Sequence, residues 1–440
     1  MIRCRNRILL ITGLLGILTF ALVVCFKFFL PTETDNDGII FQEPIPAIEQ
    51  EAIVASTPDS LDQGNDSGDL VTSEKNSNVE EVNPEPSKEE ILENKVNEKL
   101  AKMSLEEKIY QLFVTTPEML TGVSQVVAAG DTTKKSLEKT PIGGLIYLAS
   151  NFENPDQTRK MLSNTQEYAY EIEEMPLFLC VDEEGGRITR IAQKSVFGVE
   201  KVGSMAEVTD KDEAYRYGEV IGDYLSDLGI NVDFAPDADV LSNSNNTVIG
   251  DRSFGSDPQE VSEFAKAYSD GLHAHGVMST YKHFPGHGAT EADTHKGYAY
   301  TEKTYEDLLD NELIPFSYTE DNGVDMVMIS HISLPNVIGD DTPSTLSYKV
   351  TTEILRNDLS YTGIVITDAL NMGAITEKYG SSEAAAVLAF KAGADLLLVP
   401  GNLEEAYKGI SDAIESGEIT EERLDESLRR IIRAKILLVE

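Results

Sequence analysis

Lys282, His283, His287, Asp293 and His295 lie within residues 282–295, a stretch that holds three of the six histidines of the chain. Pro285, Gly286 and Gly288 are interspersed among them, and a strand-like run, Val277 to Tyr281, comes just before. Imidazole gives and takes a proton near neutral pH, and a neighbouring carboxylate orients it and supports its charged form. Glycine and proline set the irregular backbone such a cluster needs. The combination predicts a catalytic loop at the C-terminal end of a barrel strand. Two plainer readings compete: a polar loop that caps a barrel, and a metal site using His283, His287 and His295. Metal-hydrolase barrels spread their ligands over several strands, which counts against the second.

Other residues of the same kind follow other strand-like runs. Asp182 closes the run Leu177–Val181, with Glu183, Glu184, Arg187 and Arg190 after it; Arg252 lies in residues 249–255; His331 follows Asp325–Ile329; and Asp368 follows Gly363–Thr367. A pocket lined by Asp, Arg, Lys and His at fixed positions suits a ligand rich in hydroxyls, as a sugar is. Singly, each has an ordinary role open to it. Asp368 would cap a helix starting near Leu370. Lys282 would pair with Asp182 or Asp368, and Arg252 would form a loop salt bridge. His273 and His275 precede their strand and so belong to the opposite, structural end.

The elements that must position these groups form a regular series. Eight short runs alternate with helical patterns: Tyr110–Thr115, Gly143–Ala149, Leu177–Val181, Asn231–Ala235, Val277–Tyr281, Asp325–Ile329, Gly363–Thr367 and Ala394–Val399. Alternation of this kind predicts parallel βα units, and eight of them predict a (β/α)8 barrel of the TIM type. A doubly wound open sheet is the alternative, but no G-x-G-x-x-G follows the first run. Two amphipathic helices, near 403–416 and 420–438, close the series, with no room for a second large domain.

The first 87 residues belong to another regime. Arg3, Arg5 and Arg7 precede a mainly apolar run from Ile8 to Cys25, long enough to span a bilayer with its basic flank in the cytoplasm. Residues 1–30 are therefore expected to be a transmembrane signal anchor. A cleaved signal peptide is the competing reading, but no small-x-small site follows the run, and Val24 before Cys25 fits a lipoprotein box poorly. Residues 31–87 carry fourteen Asp/Glu and one lysine and predict a disordered acidic linker. The barrel, 88–440, would then stand outside the membrane. Cys180 is the one cysteine beyond residue 25, so the exported part has no disulfide to form. A net charge of −40 with no basic stripe excludes nucleic acid as a partner.

The motifs of residues 181–187, 249–255, 282–295 and 366–368, in that order, make the chain from about residue 95 onward resemble glycoside hydrolase family 3, in particular its single-domain beta-N-acetylglucosaminidase branch. That resemblance implies a retaining exo-acting glycosidase without a cofactor. It assigns Asp368 as nucleophile, His295 as general acid/base and Asp293 as its dyad partner. It also implies that Asp182, Arg190, Arg252, Lys282 and His283 hold the nonreducing sugar. The implied substrate is terminal N-acetylglucosamine on amino-sugar glycans such as peptidoglycan fragments. Two positions depart from the family pattern: Glu183 stands where Gln is usual, and Ala289 where a polar residue is commoner. Altered loop contacts are expected there. A phosphorylase, a family 3 glycosidase of other specificity, a metal-dependent hydrolase and a non-catalytic wall-binding protein are the alternatives.

Overall fold

The computed structural model describes residues 86–291, 297–317 and 323–439. The expected anchor, the acidic linker up to residue 85, and Asp293 and His295 lie outside the described residues. Among the described residues no helix is long and apolar enough to cross a membrane.

Eight strands line the interior: β1 Phe113–Thr115, β2 Gly144–Ile146, β3 Phe178–Val181, β4 Val232–Asp233, β5 Thr280–Phe284, β6 Met326–Ile329, β7 Ile364–Thr367 and β8 Leu397–Leu398. Five pair in the order β4-β3-β2-β1-β8 and three as β5-β6-β7, all parallel. Parallel bridges join the two sheets: Val232 to Met278 and Asp237 to Lys282 on one side, and Ile366 to Leu396 on the other. The ring is thereby closed in chain order, as the alternating pattern predicts. Every residue of these strands is buried, which is why they consist mostly of Val, Ile, Leu and Phe with no polar alternation.

Helices cover the outside because parallel neighbours require a crossover. Ser87 starts the helix Lys88–Lys102 with a reciprocal cap to Glu90, and this helix turns Leu92, Val96 and Leu100 inward. It lies along the final helix, Glu421–Leu437, where Arg433 grips Glu89 and Glu93. Two further helices, Lys211–Leu228 and Pro258–His273, cross so closely that a Cβ on Gly218 would stand 2.0 Å from the Tyr268 carbonyl oxygen. That closeness lets Tyr224 and Tyr268 reach the end of β3.

All eight strands overlap the runs expected from sequence; seven are shorter than their runs, and β5 is shifted along the chain. Tyr110 ends a short helix, Leu105–Tyr110, so β1 starts later. β5 begins at Thr280, three residues beyond the expected start, and its pairing with β6 breaks step between Tyr281 and Phe284. Lys282 and His283 therefore lie inside a bulged strand and not in the loop after it. A bulge re-aims side chains that regular alternation would send to opposite faces, and here both enter the barrel mouth.

The opposite end of the barrel is structural. His273 Nε2 lies 2.7 Å from Asp325 Oδ2, which also accepts the Ser279 amide at 2.8 Å. His275 lies 3.7 Å from Asp223. Both histidines thus sit on the side away from the strand C-termini, as their place before β5 implies.

Candidate active site

Glu184 is the hinge of the site. It is buried just past β3 and accepts two bonds from the Arg252 fork, at 2.8 Å from Nε and 2.8 Å from Nη2. Lys282 Nζ approaches the same carboxylate at 2.6 Å. Lys282 also donates to Asp182 Oδ1 at 3.1 Å, and Asp182 Oδ2 accepts from Arg190 Nη2 at 3.2 Å. Five charged groups from two loops and one strand thus form a single chain: Arg190, Asp182, Lys282, Glu184 and Arg252. Buried charges persist only when paired in this way.

The protonation states follow. Burial raises the Glu184 pKa, but Arg252 and Lys282 outweigh it, so the group stays well below the usual carboxylate range. Burial opposes the charge on Lys282, yet Glu184 and Asp182 hold its pKa above normal. Arg252 is held up in the same way by Glu184 and Asp237. Asp182 remains partly exposed, leaving room for a ligand above it.

Beneath Arg252 lies a second layer. Asp239 Oδ2 pairs with His283 Nδ1 at 2.7 Å, and Asp239 Oδ1 accepts the His287 amide at 2.5 Å. The proton of His283 accordingly belongs on Nδ1, leaving Nε2 to face Arg252 Nη2 at 3.3 Å. Burial, reinforced by Arg252, pushes His283 down to about 4; burial, with His283 beside it, pushes His287 down to about 4. Both rings are neutral at pH 7. Asp237, next to Asp239 and also buried, approaches Arg252 Nε at 3.4 Å, and burial raises its pKa.

Asp237, Asp239 and His283 have the mutual spacing of metal ligands. Arg252 already contacts Asp237 and His283, however, and Asp239 is engaged by both His283 and the His287 amide. The donor set fits a hydrogen-bonded support better than a cation cage. His283 and His287 meet edge to face, with centroids 5.8 Å apart.

Asp368 stands directly past β7 and its amide donates to the Ile329 carbonyl at 2.9 Å. It does not cap a helix as the plainer sequence reading would have it, since the next helix begins only at Gly373, with Met372 before it. Its carboxylate accepts the Ala369 amide at 2.7 Å and is near enough to His283 and His287 to favour their charged forms. His331 braces this corner: Nε2 meets the Ala369 carbonyl at 2.9 Å and Nδ1 meets Thr345 Oγ1 at 2.7 Å. Asp182, Arg190, Arg252, Lys282 and His283 thus form one network, with Asp368 in electrostatic reach of it.

Glu183 does make distinctive loop contacts. It is fully buried and accepts the amides of Arg190, Ile191 and Ala192 and the Tyr224 hydroxyl, the last three at 2.9, 2.8 and 2.9 Å. This turn carries Arg190 to Asp182. Arg187 ties the same loop to the next one through Asp251 at 2.6 Å. Further round, a Cβ on Gly288 would lie 2.1 Å from the Val240 carbonyl oxygen, so only glycine lets the β4 and β5 loops interlock. Sequence reasoning overlooked Asp237 and Asp239. They lie in the loop after β4, beyond Pro236, and the pair of carboxylates past a strand end was the available signal.

Residues 104–434 match the glycosyl hydrolase family 3 N terminal domain. The chain belongs to this family. Over 326 residues it is 33% identical to "Beta-hexosaminidase A" of Pseudoalteromonas piscicida, covering 69% of this chain and 54% of that protein. "Beta-hexosaminidase LpqI" of Mycobacterium tuberculosis is 35% identical over 275 residues, 59% of this chain and 68% of its own. Among solved structures, a glycoside hydrolase family 3 beta-N-acetylglucosaminidase from Paenibacillus sp. str. FPU-7 superposes with a TM-score of 0.71 at 36% identity, over 76% of this chain and 63% of that one. The chain therefore spans only about half of the first relative and less than two thirds of this structural neighbour.

Proposed function

We propose that this family 3 member is a retaining exo-beta-N-acetylglucosaminidase that removes terminal N-acetylglucosamine from amino-sugar glycans. The observation that carries the reading is the convergence, at one barrel mouth, of the Asp182–Lys282–Glu184–Arg252 network with the carboxylate of Asp368. Relatives named beta-hexosaminidase support the choice of sugar.

The reaction has two displacements. Asp368 attacks the anomeric carbon while the bond to the leaving oxygen breaks and His295, in its charged form, protonates that oxygen. A glycosyl ester of Asp368 results. Neutral His295 then takes a proton from water, whose oxygen attacks the same carbon and frees Asp368, giving N-acetylglucosamine with retained configuration. Asp293 orients His295. Asp182, Arg190, Arg252 and Lys282 supply fixed charged groups for the sugar hydroxyls, with His283 as a neutral partner.

A fluorinated amino-sugar trap should label Asp368; a label on another residue rejects it as nucleophile. His295→Ala should slow substrates with poor leaving groups far more than activated aryl glycosides, and equal losses would remove its role as acid. Running the same assay with inorganic phosphate separates hydrolysis from phosphorolysis, since only the latter yields a sugar 1-phosphate.

The same reading places the barrel outside a cell membrane, held by residues 1–30 through the acidic stretch, with peptidoglycan fragments as substrate. The apolar run with its basic flank and the fourteen acidic residues support it. Protease shaving of intact cells should remove the barrel from the cell fraction; full protection would refute an external location.

A further inference from the structure

Two exposed tyrosines stand on the strand C-terminal rim and take no part in the network described above. Tyr298 and Tyr300 are 48% and 46% exposed, among the more open large side chains described. Their rings stack with centroids 5.3 Å apart and planes 20° from parallel. The intervening Ala299 and the flanking Thr301 are buried, so alternation along an extended segment puts both rings on its outer face.

The segment is firmly placed. Ser333 donates its amide to the Ala299 carbonyl at 2.9 Å and accepts the Thr301 amide at 3.1 Å, forming a parallel bridge beside Tyr300. Ser333 lies two residues past His331, which braces Ala369 next to Asp368. A Cβ on Gly297 would stand 3.4 Å from Glu377 Oε2, in the helix Gly373–Tyr379 that follows β7. The tyrosines thus stand on a strip hydrogen-bonded to the loop after β6 and close to the helix that follows β7, three and five residues in sequence beyond His295.

We propose that Tyr298 and Tyr300 form the platform for the sugar on the leaving-group side of the scissile bond. The proposal rests on the glycosidase reading and extends it to the second ring of the substrate. An exo-acting site buries the terminal sugar among charged groups, and the next ring must emerge across the rim. The C–H face of a pyranose is apolar, and a half-exposed tyrosine gives it a flat, apolar surface with a wet polar edge. Mutual stacking holds each ring upright in advance, so little side-chain freedom is lost when a sugar arrives. The strip binds a pyranose of a β-linked amino-sugar glycan through its face, and this contact selects for substrates with a sugar aglycone.

The test compares N,N′-diacetylchitobiose with methyl β-N-acetylglucosaminide, whose aglycone is too small to reach a platform. Tyr298→Ala and Tyr300→Ala should each lower kcat/KM on the disaccharide roughly three- to tenfold, mostly through KM. Both should leave the methyl glycoside within about twofold, and Tyr→Phe at either position should restore the disaccharide rate. Equal losses on both substrates would overturn the platform, and so would an unchanged disaccharide rate. A wild-type protein that turns over neither substrate would instead defeat the glycosidase reading beneath it.

Discussion

Glu184→Gln tests the central electrostatic argument, because one buried carboxylate holds two of the three cations of the site, Lys282 and Arg252. Its side chain is 3% exposed and accepts three charge-assisted bonds, at 2.8, 2.8 and 2.6 Å. At roughly 1.5–3 kcal/mol each these would sum to several kcal/mol, from which the cost of burying the carboxylate is subtracted. Breaking a buried pair by removing one partner typically costs about 3–5 kcal/mol. Glutamine keeps one accepting oxygen but turns an NH2 toward a cation, so a loss of about 3–4 kcal/mol at pH 7 is expected. The pH dependence has a definite sign. Glu184 is depressed in the folded state, so its contribution is complete above the unfolded pKa and declines as pH falls below it. The gap between wild type and variant should narrow by roughly 1–2 kcal/mol between pH 6 and pH 3. Misplacing Lys282 and Arg252 should also cost on the order of a hundredfold in kcat/KM. Urea unfolding at both pH values and turnover of an aryl N-acetylglucosaminide measure all three effects. A variant within about 0.5 kcal/mol of wild type at pH 7, or a gap that does not change with pH, would refute the reasoning.

Three further outcomes are expected. Lys435 is buried over the Phe178 ring, and burial pushes it down to about 7, so the folded state sheds a proton that the unfolded state keeps up to about 10.4. Stability should therefore rise with pH across that window; relative to Lys435→Met, wild type should gain about 1–3 kcal/mol between pH 7 and pH 9, and parallel urea profiles would contradict this. Gly288→Ala forces the β4 and β5 loops apart and should lower the urea midpoint while reducing turnover at least tenfold; wild-type values for both would show the loops to be pliable there. Glu183→Ala should free the turn bearing Arg190 and raise KM more than it lowers kcat, whereas an unchanged KM would mean that Arg190 does not depend on that turn.

Much of this protein is set by local pattern. Alternating strand and helix periods announced eight βα units, and their positions directly after the third and seventh apolar runs marked Asp182 and Asp368 as mouth residues, because chain direction sends every strand C-terminus to one end of a parallel barrel. His273 and His275, which precede their run, went to the far end, where His273 meets Asp325. What the pattern could not state is which carboxylate meets which cation. Lys282 and Asp182 are 100 positions apart, and Arg252 and Glu184 are 68, so their pairing waits on closure of the ring. The bulge that turns Lys282 and His283 into the mouth, the support of His283 by Asp239, and the tyrosines brought to Glu183 and Glu184 by two crossing helices are likewise products of packing. Local sequence governs which groups reach the rim. The low-dielectric interior created by folding determines their partners and hence their charge.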